Sequence, residues 1–144
     1  MPTARASRRL PATSAAVWRI AADPQQLPRW WPRVVRVEGV RGREFTQVLA
    51  TPRGREVRAD FEVTEQEQGR RRVWSQQLLG TPFEKYFASL VTELRVVPDG
   101  NEANVTLEVR QRMKGISRFG GFLARRAAKR TLRDALAALE EAVR

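Results

Sequence analysis

The stretch from Gly115 to Arg144 contains no proline, and from Ser117 onward it carries the 3.6-residue periodicity of a single unbroken helix. At about 1.5 Å per residue such a helix runs roughly 40 Å, longer than a domain of this size is wide. It must therefore lie across whatever the rest of the chain builds. One stripe of it holds Gly121, Ala124, Ala128, Leu132, Ala135, Leu139 and Ala142. The first half of the stripe is tiny side chains and the second half adds leucines, so only the second half can fill a core. A sheet facing this helix is expected to leave a cavity near the helix start.

The preceding chain supplies such a sheet. From Val34 the pattern turns two-fold. Val35 and Val37 alternate with Arg36 and Glu38, Gly39 and Gly42 mark a bend, and Phe45, Gln47 and Leu49 alternate in the next run. Residues 55–64 give the cleanest strand, with Val57, Ala59, Phe61 and Val63 on one face and Arg58, Asp60 and Glu62 on the other. Residues 70–79 carry Trp74 and Leu78 opposite Arg71 and Val73. The segment 84–97 reads as a bent strand with Tyr86, Ala88, Leu90, Thr92, Leu94 and Val96 in phase. After the hairpin signal Pro98-Asp99-Gly100-Asn101, a return strand keeps Val105, Leu107, Val109, Gln111 and Met113 in phase. One apolar and one charged face per strand is the pattern of an antiparallel sheet with one wet side.

Ahead of the sheet, residues 4–10 form a modest first strand ended by Pro11. Thr13 is placed to cap a short helix through Ala22, and Asp23-Pro24 starts a second, kept brief by Pro28 and Pro32, which bracket Arg29-Trp30-Trp31. The order is strand, two short helices, six antiparallel strands and the long helix. An α+β fold, its six- to seven-stranded sheet curved round the terminal helix, buries one sheet face and one helical stripe most economically.

The segment Ala12-Thr13, Val17-Trp18, Ala22-Asp23-Pro24, Leu27-Pro28-Arg29-Trp30-Trp31-Pro32, Val34 and Val37-Glu38 resembles the opening of the polyketide cyclase/dehydrase-like branch of the START/Bet v 1-like (SRPBCC) superfamily. The element order extends the resemblance over nearly the whole chain. It implies a helix-grip fold with an apolar cavity, and the binding of lipids, sterols, quinones, polyketides or similar molecules. A few members catalyse cyclisation or dehydration. The superfamily has no universal catalytic motif, so no catalytic residue carries over, and the histidines some members use are absent here.

Composition narrows the chemistry. At 144 residues the chain, 1–144, is expected to form one ligand-binding domain. It has no cysteine and no histidine, which excludes disulfides, thiol catalysis, a His-based triad and the usual zinc sites. No cofactor or metal is expected. No apolar run is long enough to span a bilayer and the first residues lack a signal-peptide core, so the expectation is a cytoplasmic protein. The 27 Lys and Arg residues against 16 Asp and Glu give a formal net charge of +11. Only Lys85, Lys114 and Lys129 are lysines, an arginine bias that need not reflect a partner.

The inward positions nearest the small-residue stripe are the candidate ligand-binding residues: Trp30, Phe61, Trp74, Leu90 and Leu107 as apolar walls, Gln76, Tyr86, Thr92 and Gln111 as polar anchors, and Gly121, Ala124 and Ala128 from the helix. Core packing is the plain alternative for the large side chains. The buried amides and hydroxyls, by contrast, need partners that a ligand or water would supply. Trp30 and Trp31 read equally as a plug at one end of the sheet. Phe119, Phe122 and Leu123 lie off the buried stripe and are expected either in a gate hinged at Gly115, Gly120 and Gly121 or in ordinary packing. Arg118, Arg125, Arg126, Lys129, Arg130 and Arg133 form a basic outer face, which is a solvated surface or a site of transient contact with anionic membrane. Nucleic acid is the weaker reading, since the aromatics point inward. Asp60 with Glu62, and Glu93 and Glu108 beside Arg95 and Arg110, are assigned to outer faces as ion pairs, not as a general acid/base pair.

The leading expectation is a non-catalytic binder or carrier of a small hydrophobic molecule. The alternative is a polyketide cyclase, aromatase or dehydratase in which Tyr86 would do the acid/base work. A pocket free of ionisable groups favours the former.

Overall fold

The computed structural model describes residues 3–115 and 118–144, with backbone alone for 118 and 119. Strand β1 (Thr3–Leu10) leads into helix α1 (Ser14–Ala21), a 3₁₀ turn (Pro24–Gln26) and the one-turn helix α2 (Leu27–Trp30). Six strands follow: β2 (Val34–Arg41), β3 (Glu44–Ala50), β4 (Glu56–Glu67), β5 (Arg71–Gln76), β6 (Phe87–Asp99) and β7 (Glu102–Met113). Helix α3 (Arg118–Val143) ends the chain. The sequence places its start at Ser117, which lies outside the described residues.

Local chemistry sets these boundaries. The Thr13 hydroxyl accepts from the Ala16 N–H at 3.2 Å and caps α1. The Asp23 carboxylate accepts from the Gln25 N–H at 3.0 Å, and Pro24, which has no N–H to satisfy, fits the first position of the following turn. Between β6 and β7 only Gly100 and Asn101 turn the chain, and Gly100 sits at φ +63°, where a Cβ would be strained.

All strands join one antiparallel sheet in the order β1-β7-β6-β5-β4-β3-β2. β2 to β7 form a meander, and β1 adds at the far edge beside β7. The sheet curves round α3, giving the helix-grip architecture that the resemblance implied. The Leu132, Ala135, Leu136 and Leu139 side chains of α3 are buried on the concave face with Leu94, Val105 and Leu107. α1 and α2 close one end of the sheet with Val17, Leu27 and Trp30. Each fully buried leucine is worth about 2 kcal/mol of apolar burial, so the second half of α3 is the part that anchors it.

Three expectations need correction. Residues 84–97 are not one strand: Pro82–Lys85 is a 3₁₀ turn capped by the Thr81 hydroxyl, and β6 starts at Phe87 with a register shift between Phe87 and Ser89. The turn and the shift take Tyr86 and Ala88 out of phase, and both are exposed. Gly120, Gly121, Phe122 and Leu123 belong to α3 and not to a hinged loop; Phe122 and Leu123 are half-exposed there. The side chain of Phe119 lies outside the described residues. The charged face of the sheet is not uniformly wet either, because Val73, Glu93 and Glu108 are buried on it.

Candidate functional site

Strand register assembles the site. Phe61 stands opposite Gln76, Trp74 between Val63 and Thr92, Thr92 beside Val109, and Leu90 beside Gln111. Because side chains alternate with period two, all of these project from the concave face into the gap beneath α3. There they enclose a cleft of about 200 Å³. Gln47 and Leu49 of β3 extend its wall, and Ala128, Thr131 and Leu132 of α3 form its roof. Trp31, just past α2, closes one side. Its ring meets Trp74 edge-on at 6.2 Å and Trp30 edge-on at 5.4 Å. Phe61 is stacked on Phe45 at 5.4 Å. These offsets and T-shapes suit the aromatic quadrupole and hold the rings in fixed orientations. Trp31, Leu49, Phe61 and Leu90 are only half-buried, so the cleft is reachable from solvent.

Two atoms in this lining stand out. Gln76 Nε2 and Gln111 Oε1 are buried, and among the described residues neither has a hydrogen-bond partner. A donor and an acceptor withdrawn from water without partners each cost about 1–3 kcal/mol. The Thr131 hydroxyl donates to the Ala127 carbonyl at 3.2 Å and keeps its acceptor lone pairs. The cleft thus has flat apolar walls, and two of its lining residues each keep a buried amide atom without a partner among the described residues.

Of the candidate ligand-binding residues, Phe61, Trp74, Gln76, Leu90, Thr92, Gln111 and Ala128 are brought together in this lining. The other five are not. Trp30 is 1 % exposed inside the core, and its neighbour Trp31 takes the place at the cleft. Leu107 is fully buried one pair further along the sheet, opposite Leu94. Tyr86 is 57 % exposed on the turn before β6. Gly121 and Ala124 lie a turn or more before Ala128, outside the lining. Trp31, Gln47, Leu49, Val109, Thr131 and Leu132 are additional. The alternation of Phe45, Gln47 and Leu49 did point to Gln47, which is 2 % exposed. A four-residue helix gives no periodicity that could choose between Trp30 and Trp31.

Among the described residues that line the cleft there is no ionisable side chain. Arg72, on the same strand face as Trp74, borders a separate small hollow with Ala21, Pro24 and Leu27. Burial lowers its pKa from the usual arginine value while Asp23 opposes the shift, and its Nη1 donates to Gln66 Oε1 at 2.5 Å. Among the described residues no group of three His, Cys, Asp or Glu could hold a metal ion. What the arrangement can do is enclose and orient a small, mostly apolar molecule.

Comparison with known proteins agrees with the architecture. A family model described as polyketide cyclase / dehydrase and lipid transport matches residues 1–144, and the chain belongs to that family. No curated protein matches it. Among solved structures it resembles the protein XoxI from Bacillus cereus at 19 % identity and TM-score 0.78, covering 99 % of this chain and 96 % of that one. A START superfamily protein from Mycobacterium smegmatis is similar at 15 % identity and TM-score 0.80, with 98 % and 96 % covered. The di-domain ARO/CYC BexL of the BE-7585A biosynthetic pathway is similar at 25 % identity and TM-score 0.81, over 98 % of this chain and 46 % of that one.

Proposed function

We propose that this member of the polyketide cyclase/dehydrase and lipid transport family acts as one domain. It binds a small, flat, mostly apolar molecule in the cleft under α3, as a binder or carrier and not as a catalyst. The observation that carries this reading is the lining itself: aromatic and aliphatic walls, no ionisable group, and two unpartnered amide atoms, Gln76 Nε2 and Gln111 Oε1. A ligand carrying an acceptor and a donor, such as a hydroxylated ring ketone, would satisfy both amides at once. Ligand pockets usually span about 300–1,000 Å³, so a cleft of about 200 Å³ takes a ring or two, or the ring end of a longer molecule.

Organic extraction of the protein from its native source, followed by mass spectrometry, tests the proposal. The expected result is one class of small unsaturated or cyclic molecules, lost from the folded Ala128→Phe variant. Trp31 and Trp74 provide a second readout, since an occupant in contact with them changes indole fluorescence. An empty extract, together with unchanged fluorescence against a naphthoquinone, a fatty acid and a cyclic diketone, would sink the idea.

The likeness to an ARO/CYC protein at 25 % identity favours one further reading, a cyclase acting on a poly-ketone chain. In a cleft without acid or base, rate would come only from folding the chain so that one pair of carbons meets. Gln76 and Gln111 would then fix which carbonyl lies where. Turnover of a reactive poly-ketone to a single ring product, lost in Gln111→Leu while binding persists, supports the cyclase. An unchanged product mixture with and without protein supports the carrier.

A further inference from the structure

The charges of α3 run against its own dipole. A helix is stabilised by acidic groups near its N-terminus and basic groups near its C-terminus. α3 has no acidic residue in its first turn and no basic residue in its last. From Arg118 to Arg133 the sequence holds no carboxylate; Asp134 is the first, and Glu140 and Glu141 stand near the end. Arg125, Arg126, Lys129, Arg130 and Arg133 are exposed, and among the described residues none of them takes part in an ion pair. At the far end the acidic groups are offset, since Glu140 pairs with Arg8 at 3.0 Å and Arg144 at 2.8 Å and Arg29 Nη2 donates to the Ala142 carbonyl at 3.2 Å, whereas the cations of the first half have no such partners among the described residues.

These side chains also share a feature of the surface. Arg125, Arg126 and Lys129 line a groove of about 460 Å³ between α3 and the edge strand β1, together with Phe122, Ala4 and Arg5. Phe122 and Leu123 are 50 % and 49 % exposed. At helical spacing Phe122 falls on the same face as Arg125, Arg126 and Lys129. About a third of the way round the same turns, Ala128, Thr131 and Leu132 face the cleft.

We propose that this face of α3 and the β1 edge dock on a bilayer containing anionic phospholipid. The cations meet the headgroups, and Phe122 and Leu123 enter the interfacial layer. Charge complementarity selects an anionic partner, and the half-exposed apolar pair selects a lipid surface over nucleic acid. Stacking on bases would need several exposed aromatics, whereas Trp30, Trp31 and Trp74 face inward. Among the described residues no helix is long and apolar enough to cross a membrane, so contact would be peripheral. Docking brings the roof of the cleft next to the bilayer, but the proposal stands whether or not the cleft carries a ligand.

Co-sedimentation of the full chain with vesicles tests it. Binding is expected to phosphatidylcholine vesicles containing phosphatidylglycerol, not to phosphatidylcholine alone, and to weaken steeply as salt rises. The variant R125E/R126E/K129E should bind roughly 100-fold more weakly or worse. R125Q/R126Q/K129Q gives the same direction if the reversal disturbs folding, which circular dichroism checks. F122S/L123S should remove the part of binding that survives high salt. The control R41E/R43E/R53E makes the same charge change at exposed positions near the opposite sheet edge, and it should retain most of the affinity. Equal loss in both triple reversals would reduce the effect to net charge and overturn the proposal. So would a lack of binding to anionic vesicles, or tighter binding of duplex DNA through the same three residues.

Discussion

An amide buried without a partner is a cost the folded chain carries until something meets it, and Gln76 and Gln111 each carry one. Replacing either by leucine removes the orphaned atom and keeps the volume. We expect Gln76→Leu and Gln111→Leu to hold or raise the stability of the empty protein by about 1 kcal/mol and to weaken ligand binding by tenfold or more. Opposite signs for stability and affinity are the signature of a polar anchor. Thermal unfolding and fluorescence titration read the two separately, and a loss of stability in both variants would mark the amides as structural. Both residues were legible in advance because each falls in phase with an apolar alternation, Gln76 with Trp74 and Gln111 with Val109. Tyr86 was not, because the same arithmetic assumes an unbroken strand. Thr81 and Pro82 instead start a 3₁₀ turn, and the register shift between Phe87 and Ser89 breaks the phase ahead of Leu90.

At the scale of elements, α3 divides in two. Beyond Thr131 its inner stripe is packed to zero exposure at Leu132, Ala135 and Leu139, and Leu139→Ala should cost about 2–5 kcal/mol. Before Ala128 the small residues leave the helix without a filled core beneath it. The sequence showed that this half cannot fill a core, but not where the void lies, which depends on how far the sheet curves. The cleft is set under Ala128, so Ala128→Phe should fill it and abolish binding with little change in stability. Ala124→Phe lies outside the lining and should leave binding within a few-fold of the parent. A crystal structure or a ligand titration of the two variants decides the point. Equal loss in both would move the cleft one turn toward the helix start.

Across the whole sheet, the convex face is tied by a line of ion pairs, expected there from the strand patterns, whose partners are set by register. Arg5 of β1 holds Glu108 of β7 at 3.0 Å. Arg110 bridges Glu108 and Glu93 at 3.3 Å each, and Arg71 joins Glu93 to Glu65 of β4 at 3.2 Å each. Arg95 completes the ring round Glu93, whose side chain is 2 % exposed. The alternation put Arg71, Glu93, Arg95, Glu108 and Arg110 on this face, while Glu65 reaches it through the register shift between Val63 and Glu65. Burial of Glu93 comes from three long arginines folding over it from neighbouring strands, a contact that depends on register. Burial pushes the Glu93 carboxyl up, and the hydrogen bonds from Arg71, Arg95 and Arg110 outweigh it, leaving the group below the ordinary glutamate value of 4.5. A folded pKa below the unfolded one stabilises the fold fully above about pH 4.5, and that stability is lost as pH falls through the folded value. Glu38 and Glu56 shift the same way through their arginine partners but are exposed enough for solvent to screen most of the effect. Glu140, whose side chain is only 15 % exposed, is lowered likewise by Arg8 and Arg144 and adds to the same window. Stability should therefore stay level from neutral pH to about 5 and drop below it, with Glu93 as the main contributor. Glu93→Gln should cost about 2 kcal/mol at pH 7, because three guanidiniums lose their shared counter-ion. Between pH 7 and a pH below the folded pKa of Glu93 the gap between variant and parent should nearly close, since the parent carboxyl is then protonated too. Urea midpoints at the two pH values measure that gap, and a difference independent of pH would mean that Glu93 acts through its shape and not its charge.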